Sequence, residues 1–143
     1  MLFTQFMLGC LLIGITVIIH GVILDRLIVI LGRHRDLFVP RIENISTKSL
    51  VMVVTILVVF LSHTIQIWVW ALFYLLMGIL PEIESALYFS TSAFTTVGFG
   101  DIYLDENWRL LSSFEAANGF ILFGWSTAFI YEVMRRTYEP GVN

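Results

Sequence analysis

The chain has 143 residues, 58% of them hydrophobic and only 13% charged, with a mean hydropathy of +0.88. Soluble domains carry roughly a quarter of their residues as charge, so these values exclude an ordinary soluble domain and point to a membrane protein. The net charge of −3 says less than where the charges sit. The single cysteine, Cys10, inside an apolar run, excludes an intramolecular disulfide framework.

Three apolar segments reach the roughly 20 residues that a membrane-crossing helix needs. The first covers residues 6–24 without a formal charge. Its start, Met1-Leu2-Phe3-Thr4-Gln5, has no basic residue and no small-x-small site follows, so a retained helix is expected rather than a cleaved leader. Pro40 and the run Glu43-Asn44-Ile45-Ser46-Thr47 mark a loop, with Ser46 or Thr47 expected to cap the second helix. That helix covers 49–80 and should end at Gly78 and Pro81, because proline disfavours helical geometry in the residue before it. From Glu82 to Thr95 runs an amphipathic stretch too short to span, with Glu82 and Glu84 near its start where a helix N-terminus favours acids. The third long segment covers about 108–134.

The basic residues set an expected topology. Arg26, Arg33, Arg35, Arg41 and Lys48 fall between the first two segments, and Arg135 and Arg136 follow the third. Three crossings put all of these on one side, which the positive-inside rule makes cytoplasmic. The N-terminus and the loop at 81–107 then lie outside, in the plasma (inner) membrane of a multi-pass protein. Non-helical backbone at membrane depth is tolerated only beside protein or a water-filled cavity, so 82–101 is expected to re-enter as a short helix and loop.

That loop contains Thr95-Thr96-Val97-Gly98-Phe99-Gly100-Asp101. Successive carbonyls face one axis when the backbone alternates between right- and left-handed conformations, and Gly98 and Gly100 take positive φ with no Cβ penalty. A row of carbonyls of this kind replaces the water around a dehydrated potassium ion. Val97 and Phe99 would alternate outward against the short helix, and the Thr96 hydroxyl would add one more oxygen. The short helix would aim its negative C-terminal end at a central cavity.

The run Leu87-Tyr88-Phe89-Ser90-Thr91-Ser92-Ala93-Phe94-Thr95-Thr96-Val97-Gly98-Phe99-Gly100-Asp101 resembles the pore helix and selectivity filter of the tetrameric potassium channels. The likeness covers residues 49–134 and is closest to small prokaryotic ion-channel proteins without a voltage sensor, here with one extra N-terminal helix. It implies an all-α membrane protein: three transmembrane helices plus a re-entrant pore helix and filter loop, assembled as a homotetramer in the lipid bilayer. Residues 1–48 would form the first helix and a cytoplasmic loop, 49–136 the pore domain, and 137–143 a short cytoplasmic tail. By the same resemblance, potassium would bind at Thr96, Val97, Gly98 and Phe99 and the strand would close at Gly100. Thr95, Asp101 and Ser92 would support it, and no cofactor would be needed beyond the permeant ion. The family's usual tyrosine between the glycines is Phe99 here, which removes a hydroxyl that often ties filter to pore helix.

Phe114-Glu115-Ala116-Ala117-Asn118-Gly119 resembles the inner-helix segment with its hinge glycine. A glycine inside a helix costs about 1 kcal/mol relative to alanine, so Gly119 serves either bending or close crossing. If it is the hinge, Phe120, Phe123 and Thr127 face the pore and the two rings can gate by dewetting; otherwise they are core. Glu115, about 140° around the helix from Phe120, should face the pore helix or outer helix. An ionisable group there needs a partner or a function. A bond to Ser92, Thr91 or His63 would brace the filter from behind, and His63, in a partly polar stripe with Gln66 and Trp70, could instead sense protons. His20 reads as a packing residue and His34 as a solvated loop residue. Asp105 and Glu106 would join Asp101 at the outer mouth or simply be solvated. The first helix is expected on the lipid side of the outer helix.

No segment repeats arginine at every third position, as a voltage sensor does. No metal-ligand cluster, phosphate loop or nucleophile constellation appears, so an enzyme has no support, and neither a nucleic acid nor a small-molecule substrate is expected. The preferred reading is passive potassium conduction. A weakly selective cation channel and a non-conducting membrane regulatory subunit are the alternatives.

Overall fold

The computed structural model describes residues 2–33 and 45–138. Among the described residues there are four helices and no strand: α1 (Leu2–Arg33), α2 (Ile45–Leu76), α3 (Ile83–Phe94) and α4 (Arg109–Tyr138). The expected loop features at His34, Arg35, Pro40, Arg41 and Glu43 lie outside the described residues. Ser46 and Thr47 fall within the first turn of α2 rather than ahead of it.

α1 and a stretch of α2, Thr47–Leu76, are long and apolar enough to cross a bilayer. α4 matches them in length at 30 residues but includes Glu115, Glu132, Arg135 and Arg136. The outward faces are apolar, with Phe3, Leu11, Ile18, Leu57, Phe60 and Leu61 all exposed. A soluble monomer rarely shows apolar surface on that scale. The protein is an all-helical membrane protein.

α2 ends where its sequence turns it. Gly78 takes φ +65°, the Ile79 amide donates to the Tyr74 carbonyl at 2.9 Å and the Gly78 amide to the Leu75 carbonyl at 3.1 Å. This is the Schellman arrangement, in which a left-handed glycine lets the chain fold back on the last carbonyls of a helix. α3 follows after Pro81, with Glu82 as its N-cap residue and Thr95 as its C-cap. The expected short helix at 82–95 is therefore present almost to the residue.

α1 and α3 both pack on α2 and α4, and α2 packs on α4. The contacts fix the helix directions. Gln5 meets Leu110, Thr16 meets Asn118 and His20 meets Ser126, so α1 runs parallel to α4. Tyr74 meets Glu115 and His63 meets Ser126, so α2 runs antiparallel to it. The first helix therefore lies against both long helices instead of on the lipid side of α2 alone. Its buried stripe, Gln5, Gly9, Leu12, Thr16, His20, Leu24 and Leu27, repeats at helical spacing and explains why. The core gathers at the α3 end around Trp70, Tyr74, Phe89, Phe94, Leu111 and Leu122.

Candidate functional site

The segment that follows α3 is exposed from Thr96 to Asp101. Its backbone takes positive φ at every second residue: Thr96 at 61°, Gly98 at 58° and Gly100 at 75°. The two glycines are where the sequence placed them. Thr96 was not expected to join the alternation. For a β-branched residue the left-handed region costs on the order of 1–2 kcal/mol, so surrounding contacts must hold it there.

Ser92, on the last turn of α3, supplies most of those contacts. The Thr96 amide donates to the Ala93 carbonyl at 2.9 Å, the Gly98 amide to the Ser92 carbonyl at 3.2 Å, and the Phe99 amide to Ser92 Oγ at 3.1 Å. Thr95 Oγ1 turns back to the Thr91 carbonyl at 2.7 Å, closing the helix end. Farther along, Tyr88 Oη donates to Asp101 Oδ2 at 2.9 Å, and the Tyr88 ring stacks on Phe99 with centroids 6.1 Å apart and planes 15° apart. Tyr88 thus pins both Phe99 and Asp101, a role the sequence reading did not assign it. Its position four residues before Ser92 puts the two on one face of α3, and that was the available signal. Val97 is 55% and Phe99 67% exposed in the single chain.

Behind α3, Glu115 is fully buried on α4. It accepts from Tyr74 Oη at 2.8 Å and from the Ser90 hydroxyl, which also lies 2.9 Å from the Ile67 carbonyl. The carboxyl group does face α3 and α2. Its partners, however, are Ser90 and Tyr74, not Ser92, Thr91 or His63. It joins α2, α3 and α4 at one point, through Ser90, which lies two residues from both Tyr88 and Ser92 on α3.

Gly119 lies where α4 crosses the C-terminal end of α3. A Cβ there would collide with the Phe94 carbonyl oxygen and lie 3.2 Å from the Phe94 ring. α4 continues as a helix through this point, so the glycine permits close crossing. Phe120 is 73% exposed and Thr127 is exposed too, whereas Phe123 turns into the bundle, with ring centroids 4.7 Å from His63 and 5.7 Å from Phe94. The face bearing Phe120 and Thr127 is left open and Phe123 is not part of it.

Asp105 and Glu106 are exposed, and the Asp105 carbonyl accepts from the Trp108 and Arg109 amides at the turn into α4. At the other end of α4, Glu132 pairs with Arg135 at 2.9 Å and Arg136 at 2.6 Å, and Lys48 lies 5.3 Å from the centre of the Tyr138 ring. No group of three or more metal-ligating side chains occurs among the described residues.

Residues 50–136, well over half of the chain, match the family model described as "Ion channel". The chain belongs to the ion channel family. The match takes in most of α2, all of α3, the exposed strand and nearly all of α4, and leaves α1 outside. Neither a curated protein nor a solved structure matches this ion channel family member.

Proposed function

We propose that this channel conducts potassium passively through a filter formed by Thr96, Val97, Gly98, Phe99 and Gly100 from each of four identical chains. The observation that carries the reading is the alternation of left-handed residues at 96, 98 and 100 in a strand that is exposed in one chain yet tied to α3 along its length. Alternating handedness turns successive carbonyls to one side, which suits a dehydrated cation. One chain supplies one such strand, so several must surround an axis, and the exposed Phe120 and Thr127 offer α4 a face for that cavity.

The seven basic residues flanking the long segments favour an orientation with the filter outside and the Arg135–Arg136 end in the cytoplasm. Asp101 would then stand at the outer mouth. No cofactor is needed beyond the ion. The missing tyrosine hydroxyl at Phe99 is what would favour weaker selectivity, and the Tyr88–Phe99 stack and Tyr88–Asp101 bond argue against it by supporting the strand from another side.

Purified full-length protein in liposomes tests the reading. Potassium release from vesicles holding this chain alone is expected. Absence of flux from verified tetramers would leave a non-conducting regulatory subunit, and a reversal potential indifferent to exchanging sodium for potassium would leave a weakly selective channel.

A further inference from the structure

Near the middle of the bundle, the extra helix meets the pore helices through a closed ring of hydrogen bonds. Gln66 Nε2 lies 2.9 Å from His20 Nδ1, and Gln66 Oε1 lies 3.3 Å from His63 Nδ1. Ser126 Oγ lies 3.1 Å from His20 Nε2 and 2.9 Å from His63 Nε2. Ser62 Oγ adds a contact to His20 Nδ1 at 2.9 Å and accepts from Gln66 Nε2 at 3.1 Å. His20, Ser62 and Gln66 are fully buried and His63 and Ser126 nearly so.

The chemistry of the amide sets the direction of the ring. An amide nitrogen only donates and an amide oxygen only accepts. With the Gln66 amide in this orientation, His20 Nδ1 is bare and His20 Nε2 protonated, donating to Ser126. His63 Nδ1 then carries a proton for Gln66 Oε1, and His63 Nε2 is bare to accept the Ser126 hydroxyl. The reversed amide exchanges the two tautomers. Around these four residues every donor meets one acceptor, with both histidines neutral and in opposite tautomers.

A second proton on either ring breaks the circular order of donors and puts a charge in a buried site. On His20 Nδ1 it would displace the Gln66 amide and turn to Ser62 Oγ at 2.9 Å, and on His63 Nε2 it would force the Ser126 hydroxyl to accept only. The resulting charge would sit beside the other imidazole, whose ring centre is 5.1 Å away. What packs around the pair is Trp125 and Phe123 from α4 and Phe94 from α3, none of them charged. On α1 the next charged residues, Asp25 and Arg26, are exposed. On α4, Glu115 is held by Tyr74 and Ser90 and Glu132 by Arg135 and Arg136. On α2, Lys48 lies against Tyr138 at the far end of the helix. No carboxylate among these stands ready to accept an imidazolium.

We propose that the His20–Ser126–His63–Gln66 ring is a proton-sensitive latch that fastens the inner helix α4 to α1 and α2 and releases it in acid. The sign follows from the ring itself. The closed circuit and the burial of the two stacked rings both favour neutral imidazoles, so the latch holds above the ordinary histidine range near pH 6.5 and weakens as pH falls below it. A group that gains a proton only when the ring opens couples proton binding to movement of α4. Histidine is suited to this because no other unperturbed side chain changes charge in that window.

The flux readout rests on the conducting-pore reading above, so the test has two arms. In liposomes, wild-type potassium flux should change about fivefold or more between about pH 7.5 and about pH 5. The variant carrying H20Q and H63Q should change by less than about twofold over the same range. A flat wild-type profile, or an undiminished response in the variant, overturns the proposal. The second arm uses imidazole nitrogen shifts of the full-length wild-type protein in a bilayer and does not depend on conduction. Opposite neutral tautomers at about pH 7.5, both lost together in acid, support the ring; the same tautomer in both, or an imidazolium at that pH, overturns it. Should no pH give flux, the conduction reading falls, and the nitrogen shifts alone decide the latch.

Discussion

The end of the bundle that carries the exposed strand and the bundle's middle are both held by polar contacts, but of very different reach. At the strand end, Ser92 holds Phe99 across seven residues and Tyr88 holds Asp101 across thirteen. In the middle, His20 reaches Ser62 across 42 residues and Ser126 across 106. Local contacts shape a strand whose backbone is strained and exposed. Distant contacts fasten together helices that apolar packing in a bilayer would hold only weakly, since lipid tails compete equally for apolar faces. Glu115, bonding Ser90 on α3 and Tyr74 on α2, is a distant contact of the second kind set close to the strand. The strand end should therefore answer to substitutions in α3 and the loop, and the middle to substitutions in α1.

The largest effect is expected where the two regions touch. Gly119→Ala would drive a methyl group into the Phe94 carbonyl, and overpacking of this kind costs about 1–3 kcal/mol or more. The bundle should be destabilised at the α3–α4 crossing, seen as a lowered thermal midpoint in detergent. A fully stable Gly119→Ala protein would mean that the crossing is looser than described here.

Next comes Glu115→Ala, which leaves the buried Tyr74 hydroxyl without its acceptor at a cost of about 1–3 kcal/mol. Glu115→Gln keeps an acceptor for Tyr74 and should lose less than about 1 kcal/mol. Equal losses in the two variants would show that the carboxylate's charge, and not its hydrogen bonds, is what matters. Gly98→Ala acts on the filter alone: a side chain at φ +58° costs about 1–2 kcal/mol. Potassium flux should vanish while the oligomer persists in size-exclusion chromatography. The smallest effect is expected from Tyr88→Phe, which keeps the stack on Phe99 and removes one exposed hydrogen bond. Because that bond is exposed to water it contributes little to stability, which should barely move, while flux decays faster under sustained ion gradients. Unaltered decay would remove Tyr88 from the filter's support.

The contrast in reach also explains what could be read from the chain. The helices were legible because each is a long apolar run or a short amphipathic one, and α2 ends at Gly78 by its own local chemistry. The strand at 96–100 was legible because two glycines separated by one residue demand a particular backbone. Thr96 escaped because nothing about a threonine announces a left-handed φ; only its attachment to Ala93 and the Ser92 anchors beyond it impose one. Glu115 could be placed against α2 and α3 from helical geometry, but Ser90 and Ser92 lie on nearly opposite faces of α3, and the sequence does not say which of those faces turns toward α4. The partners of His20 and His63 were beyond reach. They depend on α1 lying in the groove between α2 and α4, and its polar stripe of Gln5, Thr16 and His20 does not name the surface it meets.

The central claim is that residues 96–100 select potassium. It is tested most directly by the reversal potential of the purified full-length protein in a planar bilayer, with potassium on one side and sodium on the other. The account expects a reversal potential close to the potassium equilibrium value, and its loss in the Gly98→Ala protein. A value near zero under that gradient, from protein shown to be assembled, would contradict it.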